Sequence, residues 1–265
     1  TEELLYGEDI NLNGYLDDHE NDGGDSEPDD NRNGSLDAGF YDYVTVYSKE
    51  KNVDADGASR INITDSSSVS DLQTLLQEKF KEDRALEIMM ASGVSSNPSF
   101  ENILDFYYKS GMTIDEFSQI ADKLTTSSDT ALTGLVNVNT APKEVLACLV
   151  NLENSDAEAL VSYRKSHGDA LGSIAWVTKV LGREKAVGIG SYITVRSYQY
   201  SADIVCLSGN GRAYERCRAV LDTQEGTPRV IYWRSLTHFG WPLQPEIVAA
   251  LRKGQPLDNI VLSKH

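Results

Sequence analysis

A repeated acidic pattern within the first 40 residues limits how this stretch of chain can fold. Residues 9–20 read DINLNGYLDDHE, with oxygen-bearing side chains at positions 1, 3, 5, 9 and 12 and glycine at position 6. Twenty residues later, residues 29–37 repeat the first nine positions as DDNRNGSLD, again with leucine at position 8. This is the spacing of the twelve-residue EF-hand calcium loop, in which the glycine permits a sharp turn. The pattern therefore predicts two tight cation-binding loops.

Calcium is a hard cation that requires about six to eight oxygen ligands, and each loop offers most of them. The second loop is incomplete because its position 12 is Phe40. Its missing oxygen must therefore come from water or from the acidic connector that contains Asp22, Asp25 and Glu27. We predict one or two bound Ca²⁺ ions, with these ligands: Asp9, Asn11, Asn13, the Tyr15 carbonyl, Asp17 and Glu20 in loop 1, and Asp29, Asn31, Asn33, Ser35 and Asp37 in loop 2.

The connector between the loops is too short for an ordinary pair of EF-hands. The eight residues between Glu20 and Asp29 include Gly23, Gly24 and Pro28, so no exit and entry helices fit there. We therefore expect the ions to hold a loop region together, without opening a helix pair. The alternative interpretation is an acidic, disordered surface segment.

Composition excludes several functions. The net charge of −17 is concentrated toward the start, where Arg32 is the only Lys or Arg among the first 40 residues. This balance argues against nucleic acid and anionic membrane surfaces as partners, because both require basic patches. The four histidines are scattered, and no Gly-x-Ser-x-Gly, His-Glu-x-x-His or phosphate-loop motif is present. We therefore predict a non-enzymatic protein.

Hydrophobic periodicity predicts an α+β fold. Strand patterns occur at 41–47 and 60–63, helical patterns between 65 and 190, and further strands at 199–207, 212–221 and 229–234. A short helix is predicted at 245–252. The arginines of the late strands, Arg216, Arg218, Arg229 and Arg234, are expected on the solvent face or paired with an acidic partner. Three regions follow: 1–64 with the calcium loops and first strands, 65–190 as an inserted helical domain, and 191–265 with the remaining strands and tail.

The three cysteines follow neither a metal-binding spacing nor a disulfide framework. Cys148 falls in a helical pattern, which predicts a buried thiol. Cys206 and Cys217 flank a hairpin that centres on Asn210 and Gly211, but they are not opposite each other in it. A disulfide between them is therefore not expected.

Residues 135–181 have the pattern of tandem helix-hairpin-helix segments found in competence and DNA-repair proteins. Thr140 is the predicted N-cap of the first helix, and Ser155 with Glu158 a capping box for the second. The intervening hairpin, 150–155, has no glycine and carries Glu153 where a phosphate would approach. A carboxylate repels an anion, so this segment is predicted to be a packing module.

Several motifs together resemble the K-type minor pseudopilins of type II secretion systems (the GspK family). Residues 134–146, GLVNVNTAPKEVL, are close to that family's G-[LI]-[IV]-N-V-N-T-A-P-x-E-V-L signature. The resemblance extends to nearly the whole chain. Further matching segments are YGED at 6–9 before the calcium loops, YVTVYS at 43–48, RINI at 60–63, YSAD at 200–203, GRA at 211–213 and THFGWPL at 237–243.

The resemblance implies a pilin-like antiparallel sheet domain with a large helical domain inserted between its strands. It implies assembly with the I- and J-type minor pseudopilins at the tip of the pseudopilus, with calcium bound near the junction. It also implies anchoring in the inner membrane and a location on its periplasmic face. The chain begins at Thr1 and has no run of 18 apolar residues. The apolar N-terminal helix of the family is therefore expected to have been removed from this sequence.

Two other functions fit parts of the sequence. A calcium-dependent adhesion or dockerin-like module would use the acidic loops to bind a cohesin-like or glycan partner, without pseudopilin subunits. A competence-type DNA-binding protein would use the helix-hairpin-helix pattern, although the acidic composition opposes it.

Overall fold

The computed structural model describes residues 2–25, 30–96, 98–168, 171–209 and 211–255. Helices and strands are both present, which confirms the predicted α+β class. Within these ranges, no helix combines the length and the apolar character that crossing a bilayer requires.

The helices match most of the predicted helical patterns, including the C-terminal one. The α-helices are α1 (Glu2–Tyr6), α2 (Phe40–Tyr43), α3 (Val69–Lys79), α4 (Glu82–Ser92), α5 (Ile103–Ser110), α6 (Ile114–Ile120), α7 (Lys143–Ala147), α8 (Asn154–Ser166), α9 (Arg183–Ile189) and α10 (Pro245–Arg252). Short 3-10 helices lie at Asp18–Glu20, Ser66–Ser68, Ala121–Lys123, Ile174–Lys179 and Thr237–Phe239.

The strands form one three-stranded sheet and several two-stranded ones. Strand β1 (Lys49–Lys51) pairs antiparallel with β4 (Ala131–Thr133). Two short parallel pairs join β2 (Ile61–Asn62) to β3 (Leu124–Thr125) and β5 (Val136–Asn137) to β6 (Ile193–Thr194). The larger sheet is antiparallel, in the order β7 (Gln199–Leu207), β8 (Tyr214–Asp222) and β9 (Arg229–Ser235).

The chain divides into two compact units. Unit 1 consists of residues 1–47 and 199–265, and unit 2 consists of residues 48–198. Unit 1 therefore contains the acidic loops and the β7–β8–β9 sheet. The predicted domain boundaries at 64 and 190 stay a prediction.

Unit 2 is built around one hydrophobic core. Trp176, Phe106 and Phe117 are fully buried there, together with leucines and isoleucines from most of its helices. Helix α3 shows how the period creates this core, since Leu72 and Leu76 lie one turn apart on the same buried face. Unit 2 thus has the apolar burial that a domain of its size needs.

Local capping explains where several helices of unit 2 begin. The Asn102 side chain accepts hydrogen bonds from the backbone N–H groups of Leu104 (3.0 Å) and Asp105 (3.2 Å), which starts α5. The capping box predicted at Thr113 is confirmed. The Glu116 backbone N–H donates to Thr113 Oγ1 at 3.2 Å, and the Thr113 N–H donates to Glu116 Oε2 at 2.8 Å.

The strand predicted at 41–47 is wrong. Residues 40–43 form helix α2, because the Gly39 N–H donates to the Asp42 carboxylate at 3.2 Å and closes a helical turn. The Tyr41 ring lies 5.3 Å from that of Tyr6. Beyond the helix the chain stays irregular, and Val46 is 91 % exposed. Aromatic and β-branched residues favour a strand only where a partner strand pairs with them.

Three predictions around the helix-hairpin-helix segment also require correction. Helix α7 begins after Pro142, not after Thr140, because Pro142 itself is extended, with a ψ of 162°, and is the N-cap residue. Helix α8 begins after Glu153, whose N–H donates to Asp156 Oδ2 at 2.8 Å, so Ser155 lies inside the helix. Cys148 is exposed, and the three cysteines are free thiols.

A bidentate ion pair in unit 2 leads to a pH-dependent prediction. Arg84 Nε and Nη2 donate to the two oxygens of Glu116 at 2.9 Å each. The bonds from Arg84 lower the pKa of Glu116 from 4.5 to about 2. Because the pKa in the folded state lies below the unfolded value, the stabilisation is complete above about pH 5 and is lost as the pH falls toward 2.

We expect Glu116→Gln to lower the free energy of unfolding by about 1–2 kcal/mol at pH 7. The difference from the wild type should shrink steadily below about pH 4.5. Denaturant titrations followed by far-UV circular dichroism measure both values. Glu87→Gln is the matched control, because Glu87 contacts the same arginine from a mostly exposed position. Parallel pH profiles for wild type and Glu116→Gln would contradict the assignment.

Candidate metal centre

Loop 1 folds as a tight turn around the carboxylate at its first position. Asp9 Oδ1 accepts the N–H of Asn13 at 2.9 Å, and Asp9 Oδ2 accepts the N–H of Gly14 at 2.8 Å. Leu12 and Gly14 have φ angles of 55° and 78°. The left-handed conformation at position 6 of the loop is the reason why glycine is needed there.

The polar side chains of loop 1 converge. The amide nitrogens of Asn11 and Asn13 both donate to Asp17 Oδ2, at 2.8 and 2.9 Å. The oxygens of the same two amides accept the backbone N–H groups of Asn13 and Tyr15, at 3.0 and 2.8 Å. Side-chain hydrogen bonds therefore hold Asn11, Asn13 and Asp17 together, and Asp9 is tied to the same turn through backbone N–H groups.

Glu20, at position 12, is the most constrained member of the set. Its side chain is 0 % exposed. Its Oε2 accepts the N–H of Asp17 at 3.0 Å, whereas its Oε1 is buried without a hydrogen-bond partner among the described residues. Burial raises the pKa of Glu20, and the neighbouring charges of Asp17 and Asp9 raise it further. Burial also raises the pKa of Asp9. Burial with no partner for Oε1 among the described residues therefore disfavours the charged form of Glu20.

Loop 2 repeats this geometry over the residues that are described. Arg32 and Gly34 have φ angles of 57° and 72°, close to those of their counterparts twenty residues earlier. The Asn31 amide donates to Asp37 Oδ2 at 2.8 Å, and the N–H groups of Asn33 and Ser35 donate to the amide oxygens two residues before them, at 2.9 and 2.6 Å. Asp29, the predicted first ligand, lies outside the described residues.

The chemistry of the donor set discriminates between metals. Carboxylate, amide and carbonyl oxygens are the ligands that calcium prefers, and the set is made of them. His19 is the one nitrogen donor nearby, and its Nε2 lies 3.8 Å from Glu20 Oε1. Asp17, His19 and Glu20 can bring one ligand atom each within 4.8 Å of the others. His19 is exposed at the rim, so the buried donors that fit a cation are oxygens, as calcium requires.

Arg216 fastens loop 1 to the sheet of unit 1, a role that the sequence analysis missed. Its guanidinium donates through Nη1 to the Asn11 carbonyl at 2.8 Å and through Nη2 to the Leu12 carbonyl. The side chain is 2 % exposed, so the prediction that it faces solvent is wrong. Strand β8 places Arg216 under loop 1. The alternation of polar and apolar residues along the strand does not predict this burial, because the tertiary fold decides which face of the strand is covered.

This contact leads to a prediction about the mobility of loop 1. Arg216→Lys retains the positive charge but cannot donate to two carbonyls in a fixed fork, so about 1.5–3 kcal/mol of hydrogen bonding is lost. We expect roughly 10–100-fold faster amide hydrogen exchange at Asn13 and Gly14 in the presence of chelator. Arg218→Lys on the same strand is the control. Unchanged exchange rates in loop 1 would contradict the anchoring role.

The asparagines of the 134–146 motif have structural roles in unit 2. Asn139 Oδ1 accepts the indole N–H of the buried Trp176 at 3.0 Å, and its amide nitrogen donates to the Leu171 carbonyl at 3.0 Å. Asn137 Oδ1 accepts the N–H of Asn139 at 2.9 Å, and the Asn137 carbonyl accepts that of Ala141 at 2.8 Å. The motif therefore fixes the turn that precedes α7 and provides a hydrogen-bond acceptor for the indole N–H of a buried tryptophan.

Comparison with known proteins identifies this same region. The family described as "Type II secretion system (T2SS), protein K" matches residues 136–186, about a fifth of the chain. Neither the curated proteins nor the solved structures provide a match. Protein K is a structural component of an envelope-associated secretion system. The match over residues 136–186 confirms the resemblance to type II secretion system protein K that was inferred from the sequence.

Proposed function

We propose that the chain is a non-enzymatic minor pseudopilin that caps the pseudopilus tip during type II secretion, and that calcium stabilises its acidic loops. The family match over residues 136–186 carries the proposal for a role in secretion. The buried Oε1 of Glu20, which has no hydrogen-bond partner in the described chain, carries the proposal for a cation.

The order of the two units along the chain supports the inserted architecture. The chain leaves unit 1 after Tyr47, forms all of unit 2, and returns to unit 1 at Gln199. Unit 1 contains an antiparallel three-stranded sheet, and unit 2 is mainly helical. A pilin-like domain interrupted by a helical domain has this arrangement in sequence.

The role proposed for calcium follows from the charges in unit 1. When bound, calcium would supply the positive charge that offsets the clustered carboxylates. Asp9, Asn11, Asn13, Asp17 and Glu20 would hold the first ion with the Tyr15 carbonyl. Arg216 would keep loop 1 on β8, because its donors are directed at carbonyls that are not in the ligand set. Ordered loops would give unit 1 a fixed surface for its partners.

The proposed partners are the I- and J-type minor pseudopilins of the same secretion system. Co-expression followed by size-exclusion chromatography tests this directly, and we expect a complex of the three proteins in millimolar calcium. A dockerin-like module, the alternative function, would bind neither subunit. Separate elution of all three proteins in calcium would therefore contradict the proposal for a tip subunit.

Calcium removal provides the thermodynamic test. Loops of extracellular type have dissociation constants of about 0.1–1 mM. A tenfold excess of calcium therefore stabilises by roughly 1.4 kcal/mol per site. We expect chelation to lower the Tm by about 3–6 °C per occupied site in differential scanning calorimetry.

Two comparisons make this measurement specific to the loops. Asp9→Asn should reduce the calcium-dependent shift in Tm, because it removes a charged ligand from loop 1. Asp18→Asn removes the same charge from an exposed residue outside the ligand set and should leave the shift intact. Equal Tm values with calcium and with chelator would contradict the proposal for calcium.

A further inference from the structure

A second buried glutamate lies against loop 2. Glu8 is 4 % exposed. Its Oε2 accepts the N–H of Asp37 at 2.9 Å, and its own N–H donates to the Asp37 carbonyl at 3.0 Å. Its Oε1 forms no hydrogen bond with the described part of the chain. Glu8 thus has one carboxylate oxygen bonded to the backbone of loop 2 and a second oxygen that is not used in that contact.

The contact of Glu8 with loop 2 resembles the contact of Glu20 with loop 1. Asp17 and Asp37 both occupy position 9 of their loops. The N–H of Asp17 donates to Oε2 of Glu20 at 3.0 Å, and the N–H of Asp37 donates to Oε2 of Glu8 at 2.9 Å. Since the two loops also share their φ angles and amide contacts, Glu8 stands to loop 2 as Glu20 stands to loop 1.

The backbone around Gly7 brings Glu8 into this position. Gly7 and Ala38 form an antiparallel bridge, so residues 7–8 run directly beside 37–38. Gly7 has a φ of 68°, and a Cβ atom on it would overlap the Asp37 carbonyl oxygen. Glycine is required at this close approach. Phe40, which occupies position 12 in the sequence of loop 2, is 54 % exposed and is not a ligand.

The connector residue Asp25 is directed elsewhere. Its carboxylate is mostly exposed and lies 3.7 Å from the guanidinium of Arg32. Asp30 accepts the N–H groups of Gly23 and Arg32, so its carboxylate is held toward the connector. The described part of the connector therefore offers loop 2 no carboxylate placed as Glu8 is.

We propose that Glu8 supplies the carboxylate that loop 2 lacks at position 12, which makes loop 2 a complete second calcium site. The inference rests on the proposed function, because it extends the same calcium region. With Glu8, loop 2 has the carboxylates of Glu8 and Asp37 among its described residues, and loop 1 has those of Asp9, Asp17 and Glu20. Asp29 stays a predicted ligand outside the described residues. The two sites would be neighbours, because the consecutive residues Glu8 and Asp9 would bind different ions.

The test is Glu8→Gln in the full chain. Glutamine keeps an oxygen that can accept the Asp37 N–H but removes the charge, so the local fold should be retained. Calcium stoichiometry by equilibrium dialysis should fall from two to one, with binding at loop 2 weakened by at least about 10–100-fold. The amide resonances of Gly34 and Gly14 report the two loops separately in ¹⁵N-labelled protein. In Glu8→Gln, Gly14 should shift with calcium and Gly34 should not.

Two matched variants complete the design. Glu20→Gln should show the reverse pattern, with Gly34 responding and Gly14 not responding. Asp18→Asn should keep two ions and both shifts, because Asp18 is exposed and outside both sets.

The outcomes separate this inference from the proposed function. Two ions in Glu8→Gln, or a wild-type protein that binds a single ion at loop 1, would overturn the role of Glu8 while calcium binding itself stands. A wild-type protein that binds no calcium at millimolar concentration would overturn both. The inference is supported if Glu8→Gln loses one ion and its Gly34 resonance does not shift with calcium. Glu20→Gln should then lose the shift of Gly14 and keep that of Gly34.

Discussion

The burial of carboxylates that lack a full set of partners is the constraint on which unit 1 depends. Glu20 and Glu8 are almost completely buried, and each has one oxygen held by the backbone N–H of an aspartate at position 9. That bond holds each side chain against the backbone of its loop. The Oε1 of Glu20 is buried without a hydrogen-bond partner among the described residues. An uncompensated buried charge costs several kcal/mol, and the cation that we propose would offset this cost.

The positive charge of Arg216 partly offsets the burial that raises the pKa of Asp9, but it provides no partner for Oε1 of Glu20. Arg216 is buried near loop 1, where Nη1 and Nη2 donate to the carbonyls of Asn11 and Leu12 and to the carboxylate of Asp203. Its Nε is buried without a partner among the described residues. It therefore holds the loop in place and leaves Glu20 without a donor. Unit 2 is stabilised differently, by an apolar core that contains Trp176 and by ion pairs such as that of Arg84 with Glu116. The proposed dependence on a cation accordingly concerns unit 1.

The sequence predicted those features that short-range physics controls. The loop pattern specified the turns at Gly14 and Gly34, and the apolar period with Pro245 specified helix α10 at 245–252. Features that depend on distant neighbours were not predictable. Arg216 is buried because a loop some 200 residues away covers it. Glu8 reaches loop 2 through a bridge between Gly7 and Ala38, which no spacing rule encodes. The false strand at 41–47 has the same cause, because a strand requires a partner that the pattern does not show.

A crystal structure of the protein grown in millimolar calcium, with anomalous data collected at long wavelength, tests the central claim most directly. The account predicts two calcium peaks. One should lie about 2.3–2.6 Å from oxygens of Asp9 and Glu20, and the other at the same distance from oxygens of Asp37 and Glu8. Electron density without an ion at either loop, with the Glu20 carboxylate hydrogen-bonded to water or to another protein group, would contradict it.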